Sequence, residues 1–161
     1  MNYMQNKAAE EEKAVEKNNT RFYQAFESLS IEKMEEVWNH ADNIVCVHPG
    51  WDLFTGWTAI RESWIRIFEN TDVIKFIITN KKIRIFENIA IVACTENIET
   101  IVNQNNIRMG VIATNIFQRH YFKENTNRNN SNNNSINYDE WLMVHHHGSV
   151  ISNYVPPNVS D

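Results

Sequence analysis

Four histidines are the residues of this chain best suited to move a proton, because an imidazole titrates near neutral pH. His145, His146 and His147 are consecutive, and His48 precedes a Pro-Gly turn. Side chains alternate along a strand, so we expect His145 and His147 to share a face with Trp141 and His146 to face the other way. We predict His145, His147 and His48 as catalytic candidates. The alternatives are hydrogen-bonded core histidines and, at His48, a residue that pins the turn.

Two further polar side chains fall on otherwise apolar strand faces. Glu96 alternates with Val92 and Cys94, and burial of a carboxyl raises its pKa. Glu96 is therefore a candidate base or a group that orients a histidine, with a structural salt bridge or a water-exposed edge position as the alternatives. Asn115 alternates with Phe117, so its amide either donates to a ligand oxygen or bonds within the sheet.

Aromatic side chains near these positions could form the wall of a ligand pocket, because their rings stack on flat apolar molecules. Trp51 closes the run His48-Pro49-Gly50-Trp51, a type II turn pattern that would hold His48 and Trp51 together. We predict a small hydrophobic or aromatic molecule as ligand, bound by Trp51, Trp57, Asn115, Phe117, Tyr23 and Trp38. A core stripe is the alternative for helical tryptophans.

The metal-ligating residues do not form a recognisable metal motif. His145, His147 and His48 could supply three imidazoles to an open zinc site, but no carboxylate or cysteine stands at metal spacing. We therefore predict neither a metal nor a cofactor. Cys46 and Cys94 lie in apolar runs, which is typical of buried free thiols in a reducing compartment.

Composition limits the kinds of partner. The chain has 161 residues, 42% of them hydrophobic, with 20 acidic against 15 basic residues and a net charge of -5. Such a length and content suit one domain, and the acidic balance argues against a nucleic acid partner. No apolar run is long enough for a membrane helix, and the first residues lack a signal-peptide pattern. We expect a cytoplasmic or nuclear protein.

The periodicity of apolar residues predicts helices first and strands afterwards. Helices are expected from Ala8 to Ser28, after Ser30 and after Gly56; strands are expected at 44–48, 73–87, 89–102, 107–122 and 138–147. This order predicts an α+β fold in which a curved antiparallel sheet wraps around the N-terminal helices as a cone. We divide the chain into a flexible leader (1–7), one domain (8–150) with an Asn-rich disordered insertion (123–137), and a flexible tail (151–161).

Several of these motifs together resemble a known superfamily. The runs 46–51, 56–57, 63–64, 113–117 and 141–149 resemble SnoaL-like members of the nuclear transport factor 2-like superfamily, whose fold is that of ketosteroid isomerase. The last run also resembles the association domain of calcium/calmodulin-dependent kinase II. The resemblance implies the cone fold and a homodimer formed through the sheet.

The resemblance leaves two functions open. One is a pocket for a small molecule with cofactor-free acid–base chemistry, as in isomerases, cyclases and dehydratases. The other is a non-catalytic module for dimerisation or for binding a ligand or peptide. The superfamily's catalytic aspartate has no counterpart here, since Asp42, Asp52 and Asp72 fall in predicted loops. Asn115 stands where the kinase association domain has an arginine.

Overall fold

The N-terminal helix lies against the sheet through one apolar face. The structure, a computed structural model, describes residues 3–124 and 136–157, with side chains for 5–121 and 140–157. Helix α1 spans Tyr3–Glu27 and buries Val15, Phe22 and Ala25, which recur at helical spacing. The predicted helix is confirmed, and it begins five residues earlier than its apolar pattern indicates.

Two shorter helices complete the helical layer. Helix α2 spans Ile31–Glu35, and the side chain of Ser30 accepts a hydrogen bond from the backbone N–H of Lys33 as an N-cap. Helix α3 spans Trp57–Glu69 and follows Gly56, whose φ of 81° lies in the left-handed region that suits glycine. The α3 residues Ile60 and Trp64 are fully buried.

Six strands form one open sheet with the order β2-β1-β6-β5-β4-β3. Their bounds are Val45–Val47 for β1, Leu53–Thr55 for β2, Val73–Phe86 for β3, Ile89–Val102 for β4, Asn105–Glu124 for β5 and Ile136–Val150 for β6. All neighbours are antiparallel except β1 and β6, which run parallel. The α+β prediction with a curved sheet is confirmed, while the expectation of a wholly antiparallel sheet is wrong at this one pair.

Two irregularities interrupt the strand pairing. In β3 the register against β4 shifts between Thr79 and Lys82, and Asn80 takes a φ of 52° there. In β6 the register against β5 shifts at Val144, because Ile116 pairs with His145 and Phe117 pairs with Met143. An extra residue of this kind bends the strand and reverses the side-chain alternation beyond it.

The helices cover the inner face of the sheet, and aromatic rings fill the space between the layers. The rings of Phe26 and Trp64 are 4.8 Å apart, as are those of Phe26 and Phe76. Phe22 joins this cluster from the next turn of α1, 5.7 Å from Trp64. Most of the interior is therefore packed with large side chains, which a close-packed core requires.

The segment after β6 folds back onto the outer face of the sheet. Tyr154 lies over Gly110, and its hydroxyl donates to Asn97 Oδ1 at 2.8 Å. The Asn-rich insertion lies mostly outside the described residues, as do the ends of the leader and tail, so those boundaries stay predictions. No helix in the described part of the chain is long and apolar enough to cross a bilayer.

Candidate functional site

The irregularity in β6 decides which histidine enters the interior. Met143 faces the core and is fully buried; after the extra residue Val144, His146 faces the core and is 2% exposed. His145 is half-buried and His147 exposed on the outer face. The expectation that His145 and His147 share the core face of Trp141 is wrong, because simple alternation assumes an unbroken strand.

His146 belongs to a hydrogen-bonded group of buried polar side chains. Its Nδ1 lies 2.7 Å from Oδ1 of Asn115 on the neighbouring strand β5. The amide nitrogen of Asn115 donates to Asn19 Oδ1 at 2.8 Å and to the Tyr23 hydroxyl at 3.2 Å. Asn19 and Tyr23 lie one turn apart on α1, so the helix and the sheet meet at this amide.

The network continues from Tyr23 to a buried carboxyl. The Tyr23 hydroxyl donates to Glu96 Oε1 at 2.8 Å and lies 3.3 Å from Cys94 Sγ. Glu96 is 3% exposed on β4 and forms no ion pair within the described residues. The predictions that Glu96 and Asn115 are buried are confirmed, and the interior brings the two to the same tyrosine.

His48 lies at the other side of the aromatic cluster. The type II turn holds it as predicted: Trp51 N–H donates to the His48 carbonyl at 3.0 Å, and Gly50 has a φ of 80°. Ser63 Oγ lies 2.8 Å from His48 Nε2 and donates its one hydrogen to the Ile60 carbonyl. Ser63 therefore accepts from His48, which carries its proton on Nε2.

Burial shifts the ionisation of these groups toward their neutral forms. It raises the pKa of Glu96 to about 7, against a smaller lowering by the Tyr23 hydrogen bond. It lowers the pKa of His48 to about 4, with a further contribution from Arg66, and holds the pKa of His146 well below 6.5. The pKa of Tyr23 is raised, also chiefly by burial. A proton on Glu96 is therefore exchangeable near neutral pH.

The aromatic candidates divide into core and surface positions. Phe117 and Trp38 are buried. Trp51 is 41% exposed and lies under the guanidinium of Arg66, 5.3 Å from its ring centroid. Trp57 stacks on His40 at 4.4 Å. The structure thus places Tyr23 in the polar network, while Trp51 and Trp57 lie apart from it.

Three buried polar residues were not predicted as site residues: Asn19 and His146 belong to the network, and Ser63 is bonded to His48. Asn19 lies on the buried face of α1, one turn before Tyr23. A polar residue at that position on an apolar helix face is a sequence signal for a buried hydrogen bond. Ser63 precedes Trp64 on the buried face of α3. His146 carries no signal in simple strand alternation, because one inserted residue changes which histidine of the three faces inward.

Two open grooves flank the first turns of α1, with volumes of about 770 and 660 Å³. Both are lined by Lys7, Glu11, Arg119 and Tyr121, and His48, Glu96, Asn115 and His146 are not among their lining residues. Within the described residues, no three His, Cys, Asp or Glu side chains converge in a way that could hold a metal ion.

The sequence of the chain identifies the family to which it belongs. Residues 15–121 match the family model described as the SnoaL-like domain, and the chain belongs to that family. This is the fold of generic small-molecule-binding or isomerase-like domains. The resemblance seen in the motifs is confirmed.

Solved structures of the nuclear transport factor 2-like superfamily are similar over most of the chain. One is provisionally named as a dehydratase of that superfamily, from Streptomyces avermitilis. It is 28% identical, with a TM-score of 0.70 over 87% of this chain and 95% of that one. Another is provisionally named as a calcium/calmodulin-dependent protein kinase type II association domain, from Thiobacillus denitrificans. It is 25% identical, with a TM-score of 0.67 over 85% of this chain and 94% of that one.

A curated relative is the F-box protein SKIP8 of Arabidopsis thaliana. It is 25% identical over 134 residues, which are 83% of this chain. They are 48% of the relative, so the chain spans about half the length of the curated protein that it matches.

Proposed function

We propose that the buried polar network is a binding site for a small uncharged molecule and that Glu96 is its acid–base group. The observation that carries the proposal is a carboxyl buried without an ion-pair partner among the described residues, bonded only to Tyr23. Burial of an unpaired carboxyl destabilises a fold. Buried carboxyls with a perturbed pKa recur at acid–base catalytic sites.

The chemistry that this arrangement supports is proton transfer next to a carbonyl group. Ionised Glu96 can take a proton from the carbon beside the carbonyl, and the resulting neutral acid can return it. Returned to another carbon, the proton completes an isomerisation; returned to a departing hydroxyl, it releases water in a dehydration. A carboxyl with a pKa of about 7 holds both forms near neutral pH. The similarity to a provisionally named dehydratase supports this class.

Thermal-shift screening of small β-hydroxy ketones and enones tests this proposal. A compound that binds the folded state raises the melting temperature. We expect at least one compound to stabilise the wild type and to be converted by it, and Glu96→Gln to abolish conversion. Glu99→Gln is the matched control, because Glu99 is an exposed carboxyl of the same strand, paired with Arg108. Equal conversion by both variants would contradict the proposal.

A second proposed function is self-association through the outer face of the sheet, as a homodimer. Ile77 and Ile112 are 46% and 50% exposed on that face, which also carries His145 and His147. The interior polar groups are largely paired with one another, which an assembly module requires. The similarity to an association domain supports this candidate.

Light scattering after gel filtration tests self-association. Ile112→Glu should convert a dimer into monomers, because a charge cannot be buried in such an interface without a partner. Ile107→Glu is the control, since Ile107 is 40% exposed on the opposite face of the same strand. A monomeric wild type, or equal effects of the two variants, would refute the candidate.

A further inference from the structure

Arg119 places a largely buried cation against the two grooves that flank the first turns of α1. Its side chain is 10% exposed, and it lines both grooves. The guanidinium lies over the ring of Trp141, its cross-strand neighbour on β6, 4.6 Å from the ring centroid. Stacking on an aromatic face suits the planar, weakly hydrated guanidinium and fixes its orientation. Burial of a cation costs free energy unless an anion compensates it.

Glu11 is an anion that pairs with this guanidinium from the first turns of α1. Its Oε1 lies 2.9 Å from Arg119 Nη2, and its side chain is 26% exposed. The described side chains that precede it in the helix, residues 5–10, are all exposed, and Val15 is the first buried residue among those described. The helix around Glu11 is therefore not packed into the core, so its carboxylate can turn into water and leave Arg119 to another carboxylate.

The larger groove has the size and the charge to hold a small anion. Its volume of about 770 Å³ is that of a small-molecule pocket. Four basic side chains line it among the described residues: Lys7, Lys17, Arg21 and Arg119. Three acidic residues line it too, and Glu11 is one of them, so its displacement leaves four cations and two carboxylates around a ligand. This excess is opposite in sign to the net charge of the chain, -5, and such a local field attracts anions.

We propose that the larger groove binds a small organic carboxylate, whose carboxylate group takes the place on the Arg119 guanidinium that Glu11 occupies in the free protein. Arginine binds carboxylates through two parallel N–H···O bonds, a geometry that lysine does not reproduce. Tyr121 is 71% exposed and lines the same groove, so its ring is available to the apolar part of the ligand. The site is separate from the interior network, because Glu96 and Asn115 do not line this groove.

Titration with benzoate, followed by NMR of protein labelled at tyrosine, tests the site. Benzamide is the matched probe, because it has the same ring and nearly the same shape without the charge; ionic strength is held constant. The ring signals of Tyr121 are identified by their loss in Tyr121→Phe. We expect benzoate to shift them saturably and benzamide to bind about tenfold more weakly, with no shift at Tyr154 on the outer face. No shift at Tyr121, or equal effects of the two probes, would overturn the proposal.

A variant of the arginine tests whether Arg119 is the group that binds the carboxylate. Arg119→Gln should abolish the preference for benzoate over benzamide. Arg108→Gln is the matched control and should retain the preference, because Arg108 is an exposed arginine of the same strand that pairs with Glu99. The two titrations of the wild type decide whether the groove binds a carboxylate even if Arg119→Gln fails to fold. An unchanged preference in a folded Arg119→Gln protein would overturn the role of Arg119.

A variant of the internal carboxylate tests the competition. Glu11→Gln should tighten benzoate binding about two- to fivefold, because the side chain that competes for Arg119 loses its charge. Glu10→Gln is the control, since Glu10 is an exposed carboxylate that lines the same groove. Equal tightening by the two variants would overturn the assignment of the ligand's place to that of Glu11. None of these results depends on conversion by Glu96, so this proposal and the acid–base function fail separately.

Discussion

Replacing Glu96 by glutamine should change how the stability of the fold depends on pH. Glutamine resembles the neutral acid in shape, and its Oε1 can still accept from Tyr23. The rise of the Glu96 pKa from 4.5 to about 7 corresponds to about 3 kcal/mol, at about 1.36 kcal/mol for each pKa unit. Solvent does not screen the Glu96 carboxylate enough to reduce this energy, because the residue is only 3% exposed.

The sign follows from which state holds the proton. Below pH 4.5 Glu96 is neutral in both the folded and the unfolded chain, and burial carries no charge penalty. Between pH 4.5 and 7 the unfolded chain releases the proton while the folded chain keeps it, so the free energy of unfolding falls as pH rises. Above pH 7 both states are ionised and the penalty is constant.

The assay is urea denaturation of wild type and Glu96→Gln at intervals from pH 4 to 9. The difference between their unfolding free energies removes every titration that the two proteins share. We expect the wild type to lose about 3 kcal/mol relative to the variant between pH 4.5 and 7, with the full difference present above that range. Glu99→Gln is measured in parallel, because it removes an exposed carboxyl of the same strand and leaves Glu96 in place. A flat curve for Glu96→Gln, or one that favours the wild type at high pH, would refute the argument that Glu96 is buried without a cation.

Three other perturbations follow from the same contacts. Tyr23→Phe removes the hydrogen bond that lowers the Glu96 pKa. When the unfolding free energies of Tyr23→Phe and of the double variant Tyr23→Phe/Glu96→Gln are compared, the midpoint of their difference should therefore lie at higher pH than in the wild-type background. The pKa of His48 is lowered from 6.5 to about 4, so the wild type should lose about 3 kcal/mol of unfolding free energy as pH falls through this range. In urea titrations, His48→Gln should lack this loss. Gly110→Ala places a Cβ inside the space of the Tyr154 ring and should cost about 1–3 kcal/mol of stability. That cost should largely disappear in a protein that already carries Tyr154→Ala. An equal loss of stability with and without the Tyr154 ring would show that the ring does not pack over Gly110.

The elements that follow from periodicity were predictable from the sequence. Apolar residues at helical spacing identify α1 and α3, and alternation identifies the strand faces that bury Glu96 and Asn115. These signals are local and repeat over many residues, so one exception does not mislead. Strand β2 gives no such signal, because its three residues are mostly exposed and, in the part of the chain that the structure describes, pair only with β1.

The facing of the histidines was not predictable from the sequence, because it depends on long-range pairing. Around Met143, strand β6 bonds to the backbone of Val37 and Asn39, whereas beyond Val144 it pairs with β1. The extra residue lies where the strand changes partner, and both partners are distant in sequence. Nothing within the run His145 to His147 marks which ring turns inward.

The same bulge explains how one short run can serve both proposed functions. Because Val144 shifts the register, His146 enters the polar network while His145 and His147 stay on the outer face. The buried ring is then bonded to α1 through Asn115, and its neighbours are free to contact a second copy of the chain. The proposed interior site and the proposed interface would thus use adjacent residues of one strand, and an outer-face partner that reshaped the bulge would also alter the His146–Asn115 bond.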